Sequence, residues 1–280
     1  MLYPNLTLNC KGKLLNLHQP IVMGILNVTP DSFYDGGRYD VKDQALQQTE
    51  KMLLEGASII DIGGMSSRPG AELIAVEEEL RRVLPIIESI VQHFPEAIIS
   101  IDTIHANVAK EAVEAGASLI NDISTGSLDQ KMYETVATLN VPYILMHMKG
   151  TPKTMQQQAE YSDVKEEVLD FLIQEAGKLK ALGIKDIIID PGFGFGKQLE
   201  NNYNLLKHMH LFKILECPIL AGVSRKSMIY KYLKISAAEA LNGTSVLNMI
   251  ALQQGARILR VHDVKEAVQT IKLWEMLQRV

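Results

Sequence analysis

Cysteine is scarce in this chain: Cys10 and Cys217 are the only two in 280 residues. They stand far apart and in no metal-ligand spacing, which excludes a disulfide-dense scaffold and a thiolate metal site. The pair reads as two reduced thiols in a reducing compartment, so a cytoplasmic location is expected. Long apolar runs are missing too; none approaches the ~20 residues that a membrane helix needs. The opening MLYPNLTLNCKGK has no basic region followed by an apolar run, so no signal peptide is expected. Neither sign of charge dominates, with 28 Lys and Arg against 33 Asp and Glu, interspersed. That balance leaves no basic field for nucleic acid or an anionic membrane, and it permits a local cationic pocket for a small anion. Linkers and low-complexity segments are absent, so residues 1–280 are read as a single domain.

What is present is an alternation of short β-branched runs with longer amphipathic stretches. The strand-like runs are Ile21–Val28, Ser58–Ile62, Ala97–Asp102, Ser118–Ile123, Pro142–Met148, Asp186–Asp190, Pro218–Ser224 and Arg257–His262. They are almost continuously apolar, as parallel strands covered on both faces require. Between them lie one-sided apolar stripes such as Val164, Val168, Leu172, Ala176 and Leu179, which predict helices. Gly56, Gly116, Gly183 and Gly255 each stand where a helix must stop before the next strand. Eight strand–helix pairs in about 260 residues predict a closed (β/α)8 TIM barrel. The rival, a doubly wound open sheet, would gather its functional residues at one switch point. Here polar residues end nearly every strand, as a barrel mouth requires. The segment Leu6–Leu17, with its Asn9-Cys10-Lys11-Gly12 turn, predicts a short N-terminal β-hairpin capping the barrel floor. Trp274 reads as core filler.

The strand ends offer Asn27, Asp61, Asp102, Asn121 with Asp122, His147, Asp190, Ser224 with Arg225 and Lys226, and Arg260 with His262. Any one of these could be a helix cap. Together they form a rim at which this fold places its active site, and carboxylates there cost desolvation unless a ligand or cation partners them. Asp102, Asn121 and Asp190 suit a flat heterocycle rich in N–H donors, such as a 2-amino-4-oxo ring, because a carboxylate accepts two parallel hydrogen bonds. Lys226, Arg260 and His262 supply donors for an anionic, phosphorylated portion. Asn27 can complete the shell of a Mg²⁺ held mostly by phosphate. The segment Asp190-Pro-Gly-Phe-Gly-Phe-Gly-Lys197 is neither a Walker loop nor a dinucleotide fingerprint, given its glycine spacing. Alone it means a tight exposed loop. His208 and His210 read as surface, and His105 as solvent-facing at the start of a helix.

The motifs also resemble a known family. Met23-Gly-Ile-Leu-Asn-Val-Thr-Pro-Asp-Ser-Phe33 with Asp35-Gly-Gly37, and Asp61-Ile-Gly-Gly-Met-Ser-Ser-Arg-Pro-Gly-Ala71, resemble the first two signatures of the dihydropteroate synthases. The similarity continues through Ser100-Ile-Asp-Thr103, Asn121-Asp-Ile123, Met146-His-Met148, Asp190–Lys197, Ser224-Arg-Lys-Ser227 and Arg260-Val-His-Asp263, in the family's order. It implies condensation of 6-hydroxymethyl-7,8-dihydropterin diphosphate with 4-aminobenzoate, releasing pyrophosphate and 7,8-dihydropteroate, in a homodimer that uses Mg²⁺. By resemblance, Asp102, Asn121, Asp190 and Lys226 hold the pterin, and Asn27 meets the metal. Asn27, Ser67, Arg68, Arg260 and His262 surround the diphosphate. Phe33, Ser67, Arg68, Pro69, Phe195, Lys226 and Ser227 border the aminobenzoate, with Asp35 on the first loop. Asp102, Lys226, Arg260 and His262 are the expected catalytic groups.

The arylamine nucleophile is neutral at pH 7, so the reaction demands charge stabilisation more than a strong base. A dissociative step, with the dihydropterin ring sharing the positive charge, follows as an expectation. The polar, bendable loops Thr29–Tyr39 and Gly63–Ala71 are expected to act as lids that exclude water. The second loop departs from the more usual Gly-Gly-Glu-Ser-Thr-Arg-Pro-Gly, since Met65 and Ser67 replace the Glu and Thr. Three rivals remain: a methyltetrahydrofolate-dependent methyltransferase on the same barrel, which has no use for a diphosphate grip, a non-catalytic pterin-binding paralogue, and a phosphate-binding sugar-pathway barrel with far less motif support.

Overall fold

The structure is a computed structural model that describes residues 6–29, 41–66, 70–155 and 157–280. It begins with an antiparallel hairpin, β1 (Thr7–Cys10) and β2 (Lys13–Asn16), turned by Lys11 and Gly12 with φ of 52° and 90°. Two successive residues at positive φ make the type I′ turn whose twist matches the flanking strands, and Gly12 takes the more extreme of the two without strain.

Eight parallel strands follow: β3 (Ile21–Asn27), β4 (Ile59–Gly63), β5 (Ile98–Asp102), β6 (Leu119–Asp122), β7 (Tyr143–Met146), β8 (Ile187–Asp190), β9 (Ile219–Ala221) and β10 (Ala256–Val261). Pairing of β10 with β3 closes the barrel and rules out the open sheet. Its helices are α1 (Val41–Leu54), α2 (Val76–His93), α3 (Ala106–Glu114), α4 (Met132–Leu139), α5 (Val164–Ala181), α6 (Leu199–Lys207), α7 (Ser227–Leu233), α8 (Leu241–Gln253) and α9 (Val264–Arg279), with a 3-10 turn at Met209–Leu215. The apolar runs overshoot the ladders at their ends; Pro218–Ser224, for instance, is strand only over Ile219–Ala221. Gly56, Gly116, Gly183 and Gly255 all have positive φ at helix-to-strand joins, as expected from the sequence. No helix among the described residues is long and apolar enough to cross a membrane.

The two-residue period of a strand sorts every side chain to one of two cores. Outward residues such as Ile60, Ile62, Ile99, Ile101, Leu145, Ile189 and Leu259 join the helices in the larger core. Inward residues at the strand starts, namely Met23, Ile59, Ile98, Leu119, Ile144, Ile188, Leu220 and Ile258, fill the barrel interior. The hairpin's Leu8, Cys10 and Leu15, with Leu17, pack onto that layer and close the floor. Burial pushes the Cys10 thiol up to about 12, in keeping with a residue that serves as a small core group. Trp274 is partly buried against the outer core, as expected.

Candidate active site

One step of the same period beyond the floor, the inward residues change from apolar to charged. Ile59 is followed on its face by Asp61, Leu119 by Asn121, Ile188 by Asp190 and Ile258 by Arg260, while Asp102 ends β5 opposite Asn121. The charged layer therefore arises from alternation alone, at the carboxyl ends where this fold opens.

Arg260 is the centre of this layer. Its Nε donates to Asp61 Oδ2 at 2.6 Å and its Nη2 to Asp102 Oδ2 at 2.7 Å. Asn121 Nδ2 donates to the same Asp61 oxygen at 3.1 Å, which leaves the Asn121 carbonyl oxygen as the end not committed to Asp61. Asp190 Oδ1 accepts from Gly192 N at 2.7 Å. Lys226 Nζ donates to Phe193 O at 2.5 Å and lies 4.7 Å from the centre of the Phe195 ring. Three carboxylates (Asp61, Asp102, Asp190) thus face two cations (Lys226, Arg260) inside a barrel whose floor is sealed by apolar side chains.

The electrostatics follow from that enclosure. Burial pushes the Asp102 carboxyl up to about 7; Arg260 opposes this, and the nearby Asp61 charge adds to it. Burial likewise raises Asp190 against the pull of Lys226. Lys226 is lowered to about 8 by burial, with Asp190 opposing and Arg260 assisting. Burial works against the charge of Arg260, but Asp61 and Asp102 outweigh it and hold the guanidinium above its ordinary value. Buried ion groups such as these stabilise a fold weakly at best, so the cluster points to a site built for ligand.

The remaining expected residues lie around this layer. Asn27 ends β3, and a Cβ placed on Gly63 would stand 3.7 Å from both Asn27 Oδ1 and Asp102 Oδ2, so the two oxygens flank one small cradle. His262 is exposed at the rim, its Nδ1 3.0 Å from Ser224 Oγ and its backbone N donating to that oxygen at 3.2 Å. Ser227 opens α7 directly after Lys226. Phe195 is buried in an apolar rim cluster with Met65, Ile104, Ile123, Met146 and Met155. Met65, where glutamate is more usual, therefore fills an apolar contact at the start of the second loop. Phe33, Asp35, Ser67, Arg68 and Pro69 lie outside the described residues.

Several strand-end candidates turn away from the mouth. Asp122, beside Asn121, faces outward and accepts from Ser124 N, Gly126 N and Tyr143 OH. His147 packs edge-on to Phe171 with 4.9 Å between ring centres and meets Lys197, while Arg225 is held by Asp263 through two bonds of 2.8 Å. One expectation needs correction: the His105 side chain is only 20% exposed, with Nε2 3.2 Å from Ile74 O, because the segment before α2 folds over it. Asp61 and Lys197 are the groups to which sequence reasoning assigned no role. The alternation of β4 was a signal for Asp61; for Lys197 the signal was its place at the end of the Asp190–Lys197 motif.

A site in which acceptors and cations are set side by side suits a donor-rich heterocycle carrying an anionic tail. The comparisons agree with this chemistry. Residues 23–262 match the family model described as pterin binding enzyme. The dihydropteroate synthase of Escherichia coli (strain K12) is 46% identical over 267 residues, which cover 95% of this chain and 94% of that one. Among solved structures, Yersinia pestis dihydropteroate synthase with a sulfonamide drug aligns with a TM-score of 0.92 at 43% identity, covering 98% of this chain and all of that one. Xanthomonas albilineans dihydropteroate synthase with 4-aminobenzoic acid gives 0.92 at 41% identity, with 98% and 99% covered. Family match, near full-length identity and shared barrel lead to one conclusion: this chain belongs to the pterin-binding enzymes and, among them, to the dihydropteroate synthases.

Proposed function

We propose that this chain joins 6-hydroxymethyl-7,8-dihydropterin diphosphate to 4-aminobenzoate, releasing 7,8-dihydropteroate and pyrophosphate. The observation that carries this reading is the inward charged layer, in which Asp102, Asn121 and Asp190 offer acceptors while Lys226 and Arg260 offer cations. The acceptors match the ring N–H and amino groups of the pterin. Asp61 holds the Asn121 amide by its nitrogen, and so presents its oxygen to substrate. Lys226 completes the pterin site beside Asp190. Arg260 and His262, with Ser67 and Arg68 from the second loop, receive the diphosphate. Phe195, Lys226 and Ser227, with Phe33 and Pro69 from the loops, border the aminobenzoate.

The bond that breaks is the one between the pterin methylene carbon and its diphosphate oxygen, whose electron pair leaves with pyrophosphate. The aminobenzoate nitrogen then bonds that carbon and gives up a proton. In the dissociative order proposed here, positive charge spreads over the dihydropterin ring before the new bond forms. The Asp102 carboxylate faces that charge, and fixed cations face the departing phosphates; both act as preorganised electrostatics. Asn27 fits Mg²⁺ as a neutral oxygen at the cradle beside Gly63, since this ion needs few protein ligands when phosphate and water supply the rest. When bound there, the ion neutralises charge on the diphosphate.

The homodimer and the cytoplasmic location are part of the same proposal. Exposed apolar residues on α7, α8 and α9, of which α8 packs against both others, support the first, namely Tyr232 and Leu233 on α7, Val246 on α8, and Leu273, Met276 and Leu277 on α9. Free Cys10 and Cys217 support the second.

Pyrophosphate release, measured with the dihydropterin diphosphate and Mg²⁺, with and without 4-aminobenzoate, tests the reaction. Release that requires aminobenzoate and collapses in Lys226→Ala is expected. Pterin binding without release would instead indicate a non-catalytic binding protein.

A further inference from the structure

The loop after β8, residues 191–197, has two sides. One side meets the site: Gly192 N holds Asp190, Phe193 O accepts from Lys226 Nζ, and the Phe195 ring lies under that same ammonium. The other side wraps around Lys197, a lysine only 3% exposed to which the reaction assigns no step. Its Nζ lies 2.9 Å from His147 Nδ1, 3.1 Å from His147 O, 2.8 Å from Gly192 O and 3.0 Å from Phe195 O. Burial pulls the Lys197 amine well below its ordinary value, with Asp190 opposing. The three backbone carbonyls around it can only accept, so the geometry favours the ammonium, whose three protons these four acceptors occupy fully.

The surroundings admit little rearrangement. A Cβ on Gly192 would stand 2.0 Å from His147 O, and one on Gly196 would stand 2.7 Å from Lys149 O, so the loop backbone rests directly on the end of β7. Burial, then the charges of Lys197 and Lys149, lower the His147 imidazole to about 2, which keeps it neutral with Nδ1 free to accept. A buried cation is an expensive way to fill space, and an apolar side chain would do so without the desolvation cost. What the ammonium adds is direction: it ties the first and last carbonyls of the Gly192–Phe195 turn to each other and to the neighbouring strand.

We propose that Lys197 and His147 form a positioning pair that sets the Gly192–Phe195 turn and, through it, the placement of Phe195 and Lys226 on the aminobenzoate side of the site. The proposal rests on the dihydropteroate synthase reading. The pair touches no reacting atom; it acts through the loop carbonyls. Phe195 is bound to the clamp through its own carbonyl, whereas Asp190 on the pterin side meets the loop through the Gly192 N–H. Loss of the clamp should therefore weaken aminobenzoate more than pterin.

Removing the ammonium would unseat three carbonyls at once, so the discriminating variants are at His147. His147→Leu deletes the Nδ1 acceptor and leaves the carbonyls, whereas His147→Asn places an amide oxygen near the position of Nδ1. In steady-state assays of the full chain, His147→Leu is expected to raise KM for 4-aminobenzoate about tenfold, with a smaller change in KM for the pterin diphosphate. His147→Asn should restore values close to wild type. Amide hydrogen exchange across residues 192–196 should quicken in His147→Leu and not in His147→Asn. Unchanged exchange in His147→Leu overturns the proposal whatever the turnover, and so does faster exchange with both KM values unchanged. Wild-type turnover in the same assay reports separately on the reaction itself.

Discussion

The floor and the mouth of this barrel are built from the same strands, one alternation step apart, and they differ in almost every physical respect. At the floor, Ile59, Leu119, Ile188 and Ile258 meet the hairpin's Leu8 and Cys10 in an apolar layer. At the mouth, the next inward residues are Asp61, Asn121, Asp190 and Arg260. The floor layer lowers the free energy of the fold by removing apolar surface from water. The mouth layer does the opposite, because burial opposes the charge of Asp102, Asp190, Lys226 and Arg260 alike. Inside the barrel, apolar stabilisation thus lies at one end and chemistry at the other. The short distance between them lets a rigid apolar plug hold the charged groups in place.

Three measurements would break or sharpen this contrast. The largest effect is expected from Asp102→Asn, which keeps the shape and removes the charge. Its kcat should fall by about 10²–10³, the scale seen when one preorganised electrostatic group is lost. Its melting temperature should hold or rise, since a carboxylate disfavoured by burial has gone. An unchanged rate would remove the charge-stabilising role of Asp102. Second, Ile188→Ala at the floor should cost about 2–5 kcal/mol of stability in chemical denaturation. Its KM values should match wild type at a temperature where it is folded; a large KM change would mean that floor and mouth are not separable.

The smallest effect is one of pH. Asp102 serves as a carboxylate with its pKa raised to about 7, so kcat/KM should decline as pH falls through that value. Lys226 serves as an ammonium with its pKa lowered to about 8, so kcat/KM should decline again as pH rises through that value. The acid limb should vanish in Asp102→Asn. A flat profile across this range would show that neither group titrates in the free enzyme.

Much of this was legible before any coordinates. The apolar runs marked all eight barrel strands, and their polar ends marked the mouth, because a parallel strand covered on both faces has little choice of residue. The pattern did not say which of two adjacent polar residues faces inward. Of the pair Asn121 and Asp122 the sequence reading assigned a role to Asn121 alone, and alternation sends Asn121 into the barrel mouth and Asp122 to cap the β6–α4 loop. Asp61 was visible as a strand end, but its role depends on Arg260, 199 positions away. His147 was visible as a strand end and Lys197 as the last residue of the glycine-rich motif, but nothing local joined them, since 50 residues separate them and a buried lysine has the same letter as a solvated one.

The sequence by itself determined the barrel, the hairpin beneath it and the rim on which the polar residues gather, because each depends on local periodicity and on glycines that end helices. Only the tertiary structure decided which charges meet. Closure of β10 onto β3 brings Arg260 between Asp61 and Asp102, and seating of the glycine-rich loop on β7 brings Lys197 to His147. The physical reason is that hydrophobic periodicity is a property of neighbours along the chain. The pairing energy of buried charges, by contrast, exists only once the fold has excluded water and set their distances.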